Sequence, residues 1–221
     1  IKDIVRAADS IMFARGDLGI ECKMEELPII QRRIIKECIQ FGRPVIVATH
    51  MLESMITNPI PTRAEITDVA NAVFEQADAV MLSGETAQGK YPVECVKVLD
   101  RVARRIALSG GAGYANDAIL ATQRQKTIRS AVMLANSIEN AKLVVFTRTG
   151  LMADQTSHLR PERAPIFVFT QTTETVRHQA LNWNSHAFQL DFTTEAEETF
   201  NEAEKILIKR KLVSTGDKLI V

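Results

Sequence analysis

Three times in the first ninety residues, a short apolar run gives way to a polar cluster and then to a helical pattern. Ile11-Met12-Phe13-Ala14 leads into Arg15-Gly16-Asp17-Leu18-Gly19. Pro44-Val45-Ile46-Val47 leads into Ala48-Thr49-His50-Met51-Leu52-Glu53-Ser54-Met55. Ala79-Val80-Met81-Leu82 leads into Ser83-Gly84-Glu85-Thr86-Ala87. Continuous apolar runs of this length suit strands buried on both faces. Leu27 to Phe41 has apolar residues at 27, 30, 34, 35, 38, 39 and 41, which is helical spacing, and Gly42 and Pro44 end it. Arg63 to Phe74 follows Thr62 as N-cap, with Glu65 in capping-box register. Pro92 suits a first helical turn, and Val93, Val96, Leu99, Val102, Ala103 and Ile106 form one stripe behind it. The pattern predicts three consecutive βα units with their polar ends on one rim. In an α/β barrel the carboxyl ends of the strands carry the chemistry.

Ser109-Gly110-Gly111-Ala112-Gly113 interrupts this rhythm and reads as a domain boundary, dividing the chain into 1–109 and 110–221. Beyond it, helices are expected at Gln123–Glu139, Leu151–Leu159, Glu174–Leu181 and Glu195–Lys209. Strands are expected at Leu143–Thr147, Ile166–Thr170, His186–Leu190 and Lys218–Val221. Alternation at these lengths predicts a mostly parallel sheet with helices on both faces. Ile1–Ala8 reads as a helix without an N-cap, and Lys218–Val221 as a strand met by the chain end. Both suggest a piece of a longer polypeptide.

Twenty-seven basic and twenty-seven acidic residues balance. Zero net charge gives no reason to expect a nucleic-acid or anionic-membrane partner. No run approaches the ~18 apolar residues of a membrane span, and the N-terminus has no signal-peptide pattern. Cys22, Cys38 and Cys95 are odd in number and widely spaced, which points to reduced thiols and a cytoplasmic setting.

Each polar cluster has a functional and a bland reading. Asp17, between two glycines, suits Mg²⁺, which takes few protein oxygens; it equally suits a turn that caps a helix. The glycines would allow unusual backbone angles and close approach of a ligand to the main-chain N–H groups. Thr49 could orient a substrate or relay a proton, or simply bond a neighbouring carbonyl. Ser83 and Glu85 carry the same ambiguity, and Ser83 lacks a hydrolase elbow pattern. His50 has no second ligand at metal spacing. Arg63 and Glu65 read as a cap and an ion pair. Met24, Met51, Met55 and Met81 read as core filler. Thr147-Arg148-Thr149-Gly150 brings hydroxyls, a guanidinium and helix N–H groups together, as an anion site requires.

Together these segments resemble pyruvate kinase. The runs that carry the resemblance are Ile11 to Glu21, Pro44 to Ile56, Pro61 to Val73 and Ala77 to Pro92, with Thr147 to Gly150 and Arg160-Pro161 as looser anchors in the second half. The resemblance implies the last three units of a (β/α)₈ TIM barrel followed by a smaller C-terminal α/β regulatory domain. It implies phosphoryl transfer from phosphoenolpyruvate to ADP, giving pyruvate and ATP in glycolysis, with Mg²⁺ (or Mn²⁺) and K⁺. By this resemblance Asp17 is the metal carboxylate. Gly16 and Asp17 offer backbone N–H groups to the substrate carboxylate, and Thr49 lies near the carbon that is protonated. Thr49, Ser83 and Glu85 are the catalytic candidates. Thr147, Arg148, Thr149 and Gly150 would bind a phosphorylated allosteric effector, and the parent protein would be a homotetramer.

The resemblance places the family's phosphoryl-stabilising lysine, its second metal glutamate and its arginine–asparagine cluster before Ile1, so the chain alone is expected to be inactive. His50 stands where many relatives have glutamine or asparagine. Leu151 and Met152 replace an arginine and a serine that help bind sugar bisphosphate in some relatives. That argues against fructose-1,6-bisphosphate and leaves a sugar monophosphate, a nucleotide or no effector open. The competing readings are a non-catalytic effector-binding or assembly module, and another Mg²⁺-dependent barrel enzyme handling phosphoenolpyruvate or pyruvate.

Overall fold

A computed structural model describes residues 1–221. The chain forms two compact units, Ile1–Ile119 and Leu120–Val221. In the first, α1 (Lys2–Ala7) precedes β1 (Ile11–Ala14), α2 (Arg15–Glu21) and α3 (Leu27–Phe41). Then come β2 (Val45–Ala48), α4 (Arg63–Phe74), β3 (Ala79–Met81), α5 (Gly84–Ala87) and α6 (Pro92–Ala107). The strands are parallel in the order β1-β2-β3, with Phe13 level with Val47 and Val47 with Val80. Their carboxyl ends therefore share one rim.

One apolar core holds this unit together. Phe13, Val45 and Val47 meet Ile35, Cys38 and Ile39 of α3, Val69 and Val73 of α4, and Cys95, Val98 and Leu99 of α6. Gly42 takes the left-handed conformation (φ 66°) and ends α3 in a Schellman arrangement. Its N–H reaches Ile39 O, and Arg43 N–H reaches Cys38 O. At α4, Thr62 and Glu65 form the full capping box. The glycine-rich segment packs on this unit, where Ala112 N–H donates to Phe74 O.

Two elements differ from the sequence pattern. The buried stripe of α6 is Cys95, Val98 and Leu99, continued by Val102, Ala103 and Ile106, whereas Val93 and Val96 are exposed. The core takes the stripe that includes the thiol, which the apolar spacing had passed over. Residues 15–19 form the start of a helix, not an irregular turn. Two glycines disfavour a helix by roughly 1 kcal/mol each, so the segment reads as a loop in sequence.

The second unit holds α7 (Gln123–Ser137), β4 (Ala141–Phe146), α8 (Leu151–His158), β5 (Ile166–Thr170) and α9 (Thr173–His178). It continues with β6 (Ser185–Gln189), α10 (Ala196–Lys209) and β7 (Lys218–Ile220). All pairings are parallel, in the order β6-β5-β4-β7. Alternation along the strands builds two cores. Leu143, Val145, Ile166 and Val168 face Ile128, Val132 and Ala135 of α7 and Ala153 of α8. Val144, Phe167 and Phe169 face Ala203 and Leu207 of α10. The sheet is thus covered on both faces, as βαβ connections require. None of the three cysteines is in a disulfide. No helix is long and apolar enough to cross a membrane.

Candidate functional site

The segments that follow β1, β2 and β3 meet on the rim of the first unit. After β2 the backbone turns through two consecutive non-glycine residues in the left-handed region, Thr49 (φ 68°) and His50 (φ 53°). This region is unfavourable for a β-branched residue, and each such residue costs on the order of 1–3 kcal/mol. Arg15, at the start of α2, reaches across to this turn. Its Nε donates to Thr49 O at 3.1 Å and its second terminal nitrogen to the same carbonyl at 2.5 Å. The other terminal nitrogen donates to Asp68 Oδ2 of α4 at 2.5 Å. Hydrogen bonds to a charged group contribute about 1.5–3 kcal/mol each, enough to offset much of the cost of the turn.

Gly16 N–H donates to Thr49 Oγ1 at 2.8 Å, so the structure brings together two of the residues singled out in sequence. Neither Gly16 nor Gly19 has a positive φ, so the unusual angles expected of them are not used. A Cβ on Gly16 would meet His50 Cε1 at 3.4 Å and Thr49 Oγ1 at 3.5 Å, both ordinary contacts. The space the missing side chain leaves lies directly against the Thr49 hydroxyl. Asp17 is exposed in the first turn of α2. His50 is exposed, 4.0 Å from Glu53.

Glu85 points inward and is only 3% exposed. One carboxylate oxygen accepts Leu52 N–H at 3.1 Å and the other accepts Ser83 N–H at 2.8 Å. Ser83 is half-buried and stands as N-cap of α5. Behind this contact, burial and then the neighbouring Glu85 charge raise the Cys95 thiol above its ordinary value. Glu65 plays a similar tying role. It accepts from the backbone N–H and hydroxyl of both Ser54 and Thr62 at 2.6–2.8 Å. Burial alone would raise its pKa, but these hydrogen bonds together hold it below the usual carboxylate value.

Beside the rim is a cleft of about 490 Å³ between α2, α3 and α4. Arg15, Asp68 and Glu75 line its polar side, and Met24 and Leu27 its apolar side. Met24 is thus exposed, not core filler, while Met51 and Met55 are fully buried. Glu75 accepts from Gln31 at 2.9 Å and Arg32 at 3.2 Å. Burial outweighs these contacts and raises its pKa. No group of three or more His, Cys, Asp or Glu side chains converges to hold a metal.

In the second unit, Thr147 is buried and its Oγ1 accepts Gly150 N–H at 3.0 Å. Arg148 and Thr149 between them are exposed. Gly150 has φ 88°, and a Cβ there would sit 2.9 Å from Gln179 Nε2. Gln179 and Asn182 both donate to Asp154 Oδ1 at 2.7 Å, bracing the loop from below. Leu151 and Met152 open α8 with exposed side chains.

Sequence reasoning passed over Arg15 and Asp68. Asp68 sits on the polar face of an amphipathic helix, where a carboxylate ordinarily signals solvent. The available signal was Arg15 itself, a charge placed directly after a buried strand.

Comparison with known proteins decides the family. The pyruvate kinase barrel-domain model matches residues 1–96, and the pyruvate kinase alpha/beta-domain model matches residues 125–221. The chain belongs to the pyruvate kinase family. It is 43% identical to pyruvate kinase isozyme G, chloroplastic, of Nicotiana tabacum, over 98% of this chain and 39% of that protein. It is 39% identical to pyruvate kinase of Geobacillus stearothermophilus, over 100% of this chain and 38% of that one. A crystal structure of a pyruvate kinase from Cryptosporidium parvum superposes with a TM-score of 0.89 at 36% identity, covering 98% of this chain and 45% of that chain. The chain therefore spans about two-fifths of the length of these pyruvate kinases.

Proposed function

We propose that the rim of the first unit is part of a site that transfers the phosphoryl group of phosphoenolpyruvate to ADP and protonates the resulting enolpyruvate. The single observation that carries this reading is the contact between Gly16 N–H and the Thr49 hydroxyl at the shared strand ends. Phosphoryl transfer asks for positioning and charge neutralisation more than for covalent help. A substrate carboxylate arriving at the Gly16 and Asp17 N–H groups would take over the donor that Thr49 now accepts. The freed hydroxyl would then face the carbon to be protonated. Substrate binding and the alignment of the proton relay become one event.

Asp17 fits a divalent metal in part. It is an exposed carboxylate beside backbone N–H groups, and Mg²⁺ takes one or two protein carboxylates and completes its shell with water and substrate oxygens. Bound there, Mg²⁺ or Mn²⁺ would neutralise charge on the substrate oxygens. One carboxylate alone binds such an ion weakly. No residue here is assigned to K⁺. Glu85, with both oxygens engaged by backbone N–H groups, serves in this reading to hold the loops, and Ser83 remains a rim hydroxyl. In this reading the family's lysine and second metal glutamate have no counterpart in these 221 residues, and the chain alone has no kinase activity. A homotetrameric parent in a reducing, cytoplasmic compartment belongs to the same reading, though several relatives are named as chloroplastic or plastidial.

The loop Thr147–Gly150 follows β4, the strand at which the order reverses between β5 and β7. Ligands of open α/β sheets bind outside the carboxyl ends at such a reversal. That supports a phosphorylated effector there, and it is the observation that keeps a non-catalytic binding module as the second reading.

The metal assignment is tested by titrating Mn²⁺ and following water-proton relaxation, with the chain and with Asp17→Asn. Weak binding, on the order of millimolar, is expected in the chain and is lost in the variant. Equal binding in both would remove Asp17 from the site.

A further inference from the structure

The left-handed turn at Thr49 and His50 is held by one side chain. Arg15 donates twice to Thr49 O and a further time to Met51 Sδ at 2.8 Å. Its Nε also lies 3.4 Å from Ala48 O, at the end of β2, and its other terminal nitrogen reaches Asp68, fifty-three positions away on α4. The Arg15 side chain is 11% exposed, so its donors are spent on protein groups. The residue after it, Gly16, returns a backbone N–H to the hydroxyl of the same Thr49. A ring closes: Arg15 holds the carbonyl of Thr49 and Gly16 holds its side chain.

We propose that Arg15 and Asp68 are a positioning pair that fixes the Thr49 hydroxyl at the rim, an inference that rests on the phosphotransfer reading above. Asp68 neutralises and orients the guanidinium. The guanidinium fork pins the Thr49 carbonyl inward, and this selects the backbone conformation that aims the hydroxyl at Gly16. Neither side chain touches the substrate. The planar fork matters because one group must serve a carbonyl and a carboxylate at once. A lysine ammonium is a compact point charge without that geometry. His50, Glu75 and Arg32 line the same cleft, but none has a hydrogen bond to the Thr49 carbonyl.

The test uses Arg15→Lys and Asp68→Asn with two readouts. In a form of the protein that turns over phosphoenolpyruvate, Arg15→Lys lowers kcat about tenfold or more while the KM values for both substrates move less than about threefold. Asp68→Asn moves kcat in the same direction by a smaller factor. In the 221-residue chain, Arg15→Lys speeds amide exchange at Gly16 about tenfold while Phe13 in β1 is unchanged. A raised KM with kcat intact would make Arg15 a binding residue and overturn the proposal, as would Gly16 exchange within about twofold of the parent. If Arg15→Lys does not fold, Asp68→Asn, which keeps the guanidinium, decides by the same readouts. If the parent shows no turnover, the phosphotransfer reading fails, and the Gly16 exchange rate still decides whether the pair holds Thr49.

Discussion

Glu85 accepts the backbone N–H of Leu52, thirty-three residues earlier in the chain, while its second oxygen accepts Ser83 N–H. One buried carboxylate thus ties the segment after β2 to the segment after β3. Replacing Glu85 by Gln substitutes an NH₂ group for one acceptor, so one buried N–H loses its partner. The expected loss is about 1–3 kcal/mol of stability, read as a lower urea midpoint with an unchanged slope. A midpoint equal to the parent's would show that the tie contributes nothing.

Glu65 and Glu75 make opposite contributions to the pH dependence of stability. The folded pKa of Glu65 is depressed, so its contribution is present above the unfolded value and is lost as pH falls through the folded one. The folded pKa of Glu75 is raised, so its contribution is full at low pH and is lost as pH rises through that value. Urea unfolding between about pH 3 and 7 should therefore show Glu65→Gln removing part of the acid-side loss. Glu75→Gln should cost less at pH 7 than at pH 4. The reverse order would contradict the burial argument for Glu75.

Gly150 meets two constraints at once, a left-handed φ and the nearness of Gln179 Nε2. Gly150→Ala should lower stability by about 1–3 kcal/mol. Gln179→Ala is itself destabilising, because it removes the hydrogen bonds to Asp154 and Asn182, but Gly150→Ala should cost less in that background, since the collision is gone and only the strain remains. Strict additivity in thermal unfolding would mean that the two residues do not meet.

Much of this architecture is legible in the sequence because periodicity and caps report local physics. The α3 pattern, its Gly42 terminus and the Thr62–Glu65 capping box all stand where the residues place them. The strand ends that form the rim are legible for the same reason. What is not legible depends on tertiary partners. The helix at Arg15–Glu21 contains two glycines that argue locally for a loop. Val93 and Val96 fit a helical stripe as well as Cys95 and Val98 do, and only the neighbouring core chooses between them. Arg15, Asp68 and Glu85 act through partners more than thirty residues away, and no local spacing announces such contacts.

Pyruvate formation from phosphoenolpyruvate and ADP, with Mg²⁺ and K⁺, tests the central claim most directly. It should be measured on this chain and on a longer hybrid that joins it to the preceding barrel segment of a pyruvate kinase relative. The account predicts activity only in the longer version, abolished there by Asp17→Ala. Turnover by the 221-residue chain itself, or an active Asp17→Ala variant, would contradict the proposed site.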